Sequence, residues 1–325
     1  MNTGTEAANK IARRIIAKYS LKLPINIESI VRSLAKLLFM KIPLDGVDGV
    51  SLNLKTPGKE TIVVVNSDTP PLRQRFTIAH ELGHIVIPWH IGNIVDHVEN
   101  GQSKHAEHYY DIETEANMFA GELLMPLGYV SSLLKSECDI AKAHYILAET
   151  CLVSLHASAM RLSQVLPENY VYAVINVNTV EFSGKTEGTI AKILEWSSEF
   201  RHDSYDYCEK HYSLLTGTRK IHWWLLPSTL NVVESDDYDW RISLDSIIND
   251  LGGSEEEQQA FKKSINGVIA YANGKVRQNS NYSINTLVAA CVQRLKDRTE
   301  FKDFVNHPEF HTFISKKARA LVEKH

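Results

Sequence analysis

Apolar residues recur three and four apart in "TEAANKIARRIIAKYSL", which puts Ala8, Ile11, Ile15 and Ile16 on one face. That period predicts an opening helix. "INIESIVRSLAKLL", entered just after Pro24, repeats it and predicts a second helix. The period then drops toward two. "GVSLNL" and "ETIVVVNS" have β-type patterns and flank the turn-rich "KTPGK", so they predict a hairpin. After Pro70 and Pro71 comes "TIAHELGHIVI", which reads as a helix apolar at nearly every position except two histidines and a glutamate. A polar, His-rich loop is predicted from Ile91 to Tyr110, and then a helix over "DIETEANMFAGELL", stopped by Pro126. "DIAKAHYILAETC" and "SLHASAMRLSQV" carry the helical texture on to Gln164.

At "LPENYVYAVINVN" the texture changes. Strands are predicted from Tyr170 to Val177 and over "KIHWWLL", Lys220 to Leu226. Helices follow over "SLDSIINDL", "EEEQQAFKKSINGVIAYA", "INTLVAACVQRL" and "HTFISKKARALVEK". A boundary near Pro167 divides the chain into residues 1–167, mostly helical with a small sheet, and residues 168–325, a mixed α/β region. The fold class is therefore α+β. The aromatic group Trp223, Trp224, Tyr207 and Tyr212 could line a pocket of a ligand-sensing region, but reads better as core packing.

Composition narrows the function classes. The chain has 325 residues, 44% hydrophobic and 23% charged, which is the texture of a globular protein with ample core material. A formal net charge of −4 gives no electrostatic ground for nucleic acid as the main partner. No apolar run approaches the roughly 18–20 residues that span a bilayer, and the first twenty residues lack the apolar core of a signal peptide. Cys138, Cys151, Cys208 and Cys291 are widely separated without a CxxC pair, so they read as reduced thiols. The expected location is the cytoplasm.

The chemistry concentrates in "HELGH". On a helix His80 and His84 lie one turn apart and point to the same side, so two ring nitrogens can reach one Zn2+. Glu81 is rotated by about 100° from His80 and suits a general base better than a ligand. Buried polar groups on an apolar helix need partners, and a metal would supply them. A catalytic zinc usually takes a third protein ligand. On the downstream helix Glu115 is flanked by Ala116, Phe119, Ala120 and Leu123, which sets it on the inward side and turns Glu113 toward solvent. Glu122 lies nearly two turns further on, where it could accept from a histidine ring. His90 competes for the third place, since it fits the last position of HExxHxxGxxH, but Ile87 stands where that pattern needs glycine.

"RQRFTIAHELGHIVI" followed by "ETEANMFAGELLMP" resembles the ImmA/IrrE family of metallo-endopeptidases over about residues 5 to 165. The resemblance implies a zincin-like domain with one Zn2+ per chain, held by His80, His84 and Glu115, and with Glu81 as the base. It also implies a protein substrate, such as a transcriptional repressor or an antitoxin, cut in a stress, mobile-element or phage-related response. No direct nucleic-acid or membrane partner is expected. His108, Tyr109 and Tyr110 are candidates by position for contacting substrate or an oxyanion. The alternative reading is a zinc-containing regulator that binds its partner without cutting it.

Overall fold

The computed structural model describes the backbone of residues 3–95, 105–233, 239–278, 281–296 and 298–324, with side chains at the same positions except 3 and 105–109. The chain divides into two compact units, Met1–Val165 and Leu166–His325. The fold is α+β in each.

The first unit begins with α1 (Thr3–Lys18) and α2 (Ile27–Leu34), followed by β1 (Lys36–Met40), β2 (Gly49–Leu54) and β3 (Ile62–Asn66). Then come α3 (Pro71–Val86), β4 (Gly92–Val95), α4 (His105–Leu124), α5 (Leu127–Ser136), α6 (Ile140–Cys151) and α7 (Leu155–Ser163). The sheet order is β1-β3-β2-β4. β2 and β3 pair antiparallel as the hairpin pattern predicts, while β1 runs parallel to β3.

Two segments depart from their patterns. "KLL", predicted as the end of the second helix, leaves α2 at an extended Ala35 and enters β1, with Leu37 opposite Val63. The stretch predicted as a long loop contains β4, which pairs with β2, and α4 begins six residues earlier than its apolar period. In both places pairing with a neighbouring element overrides a weak local pattern.

α3 starts with Pro71 at its first turn, where the missing N–H costs nothing, and ends at an extended Ile87 that Pro88 forbids from continuing. All eight residues from Thr77 to His84 are buried. α3 lies against α4 at Gly83, where an added Cβ would meet the Phe119 ring at 3.1 Å and the Ala116 Cα at 3.3 Å. On its other flank α4 packs against α1. The segment "AETCLVSLHASAMRLSQV" forms the end of α6 and all of α7, with Leu152 in the left-handed region between them and Ser154 capping α7. Arg161 of α7 is buried and donates to Glu122 and to the Met125 carbonyl of the neighbouring chain segment.

In the second unit β5 (Tyr170–Asn176), β6 (Thr179–Lys185), β7 (Lys210–Thr216) and β8 (Arg219–Leu225) form an antiparallel sheet in the order β6-β5-β8-β7. β6 and β7 are its edge strands, and neither has the continuous apolar run that marked β5 and β8 in the sequence. Trp223 and Trp224 are both buried, on opposite faces of this sheet. α8 (Trp240–Leu251), α9 (Glu255–Val276), α10 (Ile284–Leu295), a short 3-10 turn (Thr299–Phe301), α11 (Lys302–Val305) and α12 (Phe310–Val322) follow. Their core is built on Ile247, Ile265, Ile269, Leu287, Phe304 and Phe313. Among the described residues no helix is long and apolar enough to cross a membrane.

Candidate metal centre

The helical spacing does what it implies. His80 and His84 turn their Nε2 atoms to within 3.0 Å of each other. The carboxylate that joins them comes from α4, but it is Glu113: its oxygens lie 3.2 Å from His80 Nε2 and 3.6 Å from His84 Nε2. His80, His84 and Glu113 make a compact group of potential ligand atoms. Glu115, the residue expected there, is buried instead beneath Trp89 and His90. Its Oε2 accepts from Trp89 Nε1 at 2.6 Å and from His90 Nε2 at 3.0 Å, and its other oxygen lies directly over Gly4 of α1.

The reason for this correction is that α4 has two buried flanks. Glu113 and Glu115 are turned about 200° from one another. The apolar neighbours of Glu115 therefore record that it faces protein, but not which helix it faces. Glu122 does not support a histidine ring either; it pairs with Arg161, with Arg13 at 3.6 Å.

Hydrogen bonding around the histidines favours one set of tautomers. The Glu115 carboxylate can only accept, so His90 Nε2 carries a proton and donates it. A neutral His90 ring then has a bare Nδ1, which lies 2.8 Å from His84 Nδ1. His84 must donate there, and its Nε2 is left as a lone pair. His80 Nδ1 in turn faces the Asn117 Oδ1 acceptor at 3.0 Å, which leaves its Nε2 bare as well. In these tautomers two imidazole lone pairs and a carboxylate converge, and Glu113 Oε1 receives no hydrogen bond among the described residues. Such a group is unfavourable unless a cation sits within it. The donor set, two imidazoles and one carboxylate, fits zinc.

Electrostatics point the same way. Burial, and then the charges of His80, His90 and Lys55, push His84 well below its ordinary pKa, so it stays neutral and able to ligate. Burial also lowers His90, against the opposing pull of Glu115. Lys55, lowered to about 8 by burial, donates to the carbonyls of His84 and His90 at 2.9 and 2.6 Å, tying the end of α3 to the following loop. His90 is therefore a support for His84, with both ring nitrogens occupied, and not a competing ligand.

Glu81 is fully buried against β2, where the Ser51 hydroxyl donates to its Oε2. Gly49 makes that approach possible: a Cβ there would lie 2.3 Å from Glu81 Oε1 and 2.6 Å from Thr77 Cγ2. Of the positional candidates, Tyr110 is 74% exposed, and the side chains of His108 and Tyr109 lie outside the described residues. Ser51, Asn117 and the supporting role of His90 were not anticipated. Ser51 had a legible signal, a polar residue at an inward position of a strand, and Asn117 lies one turn from Glu113 on the same face of α4.

Residues 35–163 match the family model of the IrrE N-terminal-like domain, Peptidase_M78. The radiation response metalloprotease IrrE of Deinococcus radiodurans is 29% identical over 137 residues, 40% of this chain and 41% of that protein. Its namesake from Deinococcus deserti is 28% identical over 153 residues, 45% of this chain and 54% of that protein. The matches thus span about half the length of these relatives. A solved structure titled Mycobacterium tuberculosis transcriptional regulator aligns over 72% of this chain and 94% of that one at 12% identity, with a TM-score of 0.36, too low to establish a common fold. Residues 35–163, with the histidine pair, Glu81 and both carboxylates of α4 among them, form an IrrE N-terminal-like domain of the Peptidase_M78 family.

Proposed function

We propose that this chain is a zinc-dependent endopeptidase that cuts a regulatory protein, a repressor or an antitoxin, in a stress, mobile-element or phage-related response. The observation that carries the reading is the convergence of two bare imidazole nitrogens and the Glu113 carboxylate beside a buried HExxH glutamate. His80, His84 and Glu113 are the zinc ligands in this proposal, leaving a position open as catalytic sites do. When bound, the ion supplies Lewis acidity, polarising a peptide carbonyl and acidifying water.

The protein's own part is positioning and proton transfer. Glu81 accepts a proton from the attacking water and delivers it to the departing amine nitrogen. Ser51 holds one of its oxygens, so the carboxylate keeps its orientation while the other oxygen handles the proton. His90 and Glu115 fix the ligating tautomer of His84, and Asn117 fixes that of His80. β4, the outer strand beyond β2, offers a backbone edge on which a substrate peptide can lie extended. The names of the two Deinococcus relatives support both the protease and the stress-response parts of the reading.

Glu81→Gln is the direct test. Bound metal should stay at about one ion per chain, while new protein N-termini seen by mass spectrometry with the wild type in stressed cells disappear. A loss of turnover of about 10²–10⁴-fold is expected for the base. If wild type and variant give the same N-termini and the variant still acts in the cell, the metal is structural and the protein works by binding its partner.

A further inference from the structure

The second unit contains a cavity of about 820 Å3 between one end of its sheet and helices α9 and α10. Its wall is dominated by uncharged hydrogen-bonding side chains, among them Asn169, Ser228, Thr229, Asn281 and Gln293. Gln293 is 2% exposed. Its Nε2 donates to the Pro227 carbonyl at 2.9 Å and faces Asn169 Oδ1 at 3.3 Å, while its Oε1 is buried without a hydrogen-bond partner among the described residues. A buried amide oxygen without a donor is costly unless a ligand or water supplies one. The wall's one carboxylate, Glu168, rests against Gly188, where a Cβ would fall 2.7 Å from its Oε2.

Positive charge gathers beside Ile190 and Lys275 of this wall. Arg294 donates to the Ile190 carbonyl at 3.3 Å and Lys185 to the adjacent Ala191 carbonyl at 2.8 Å. Arg294 and Lys275 both lie over the Tyr271 ring, 4.7 and 5.8 Å from its centroid. The three cations are thus neighbours, and none has a carboxylate within ion-pair distance among the described residues. Arg294 Nε is buried without an acceptor among the described residues. Loss of surrounding water, followed by the charges of Arg294 and Lys275, pushes the Lys185 ammonium below its usual range. Uncompensated like charges next to a polar cavity call for an anion.

We propose that this cavity binds a sugar phosphate, its phosphate beside Lys275, Arg294 and Lys185 and its hydroxyls on the amide and hydroxyl wall. The wall's hydrogen-bonding groups match a hydroxylated body better than an apolar one, and Gln293 Oε1 and Glu168 accept from hydroxyls. The volume falls within the range of small-molecule sites. The same chemistry is offered by a free sugar phosphate and by the ribose phosphate of a nucleotide.

The test is calorimetric titration of the full chain at low salt with ribose 5-phosphate, AMP, ribose and inorganic phosphate. At least one of the two esters should bind, and at least tenfold more tightly than ribose or inorganic phosphate. Binding of ribose 5-phosphate alone assigns a free sugar phosphate, and binding of AMP assigns a nucleotide. Lys185→Gln/Lys275→Gln, two changes at exposed side chains, should weaken the ester at least tenfold, and Arg294→Gln should do the same. The proposal is overturned if neither ester binds, if inorganic phosphate binds as tightly as the ester, or if the double variant binds like the wild type.

Discussion

Each unit contains histidines in ring contact, and the two sets behave differently. In the first, every outer nitrogen is used by an acceptor beyond the pair, Glu115 through His90 on one side and Asn117 on the other, so both Nε2 atoms are left bare and face Glu113. In the second, His211 Nε2 meets His222 Nδ1 directly at 2.8 Å, and the two rings stack with Trp224 at 5.1–5.2 Å. Among the described residues no carboxylate joins them. There the two facing nitrogens satisfy each other, His222 Nε2 is buried without a hydrogen-bond partner among the described residues, and burial lowers His222 to about 3. Histidines in contact do not make a metal site; acceptors that fix their tautomers, and a carboxylate at the point of convergence, do.

The largest effect that could break this comparison is on metal content. His80→Ala or His84→Ala should reduce bound zinc from about one ion per chain to near none, while His211→Gln leaves it unchanged, as measured by elemental analysis after dialysis. Equal losses at both places would refute the distinction between the clusters.

The two glutamates of α4 sharpen it further. Glu113→Gln should remove a ligand and nearly abolish zinc retention. Glu115→Gln and His90→Gln should weaken zinc about 10–100-fold, the usual range for groups that orient a ligand. Competition with a chelator ranks the three, and the reverse order would restore Glu115 as the ligand.

Acid tests the histidines held neutral by burial outside the candidate metal centre. His144, whose Nε2 donates to the Leu155 carbonyl at 2.6 Å, is lowered to about 4, and His222 to about 3. Each is neutral in the folded state and titrates near 6.5 when unfolded. The unfolded chain therefore binds more protons between those values. Stability is complete above about pH 6.5 and falls as pH drops toward 4, by up to ~1.4 kcal/mol per pH unit for each fully buried ring. Thermal melts at pH 7.5 and 5 should show a lower Tm at pH 5, and His222→Asn should reduce the difference.

Gly83→Ala is the mildest change. The added methyl would press on Phe119 and the Ala116 backbone, and about 1–3 kcal/mol of stability should be lost as α3 and α4 move apart. Zinc affinity should fall with it, because Glu113 reaches the histidines from α4; an unchanged affinity would mean that the ligands tolerate a wider crossing.

Much of this was legible in the chain. Pro71 and Pro88 bound α3 for local reasons, and the four-residue spacing of His80 and His84 guarantees a shared face whatever the helix packs against. The hairpin of β2 and β3 follows from alternation and the "KTPGK" turn. β1 and β4 were hidden because their residues carry little pattern of their own and become strands only by pairing with β3 and β2. Which α4 glutamate meets the histidines was decided by the tertiary structure, since a helix wedged between α1 and α3 buries two flanks and periodicity cannot rank them. His90 shows the same division: its identity is local, but its use as a bridge between Glu115 and His84 depends on where the loop after Pro88 lands. The sequence by itself determined the elements whose signals lie within one or two turns of chain. The tertiary structure decided every contact between residues of different elements, because those depend on which faces the packed helices and strands turn toward one another.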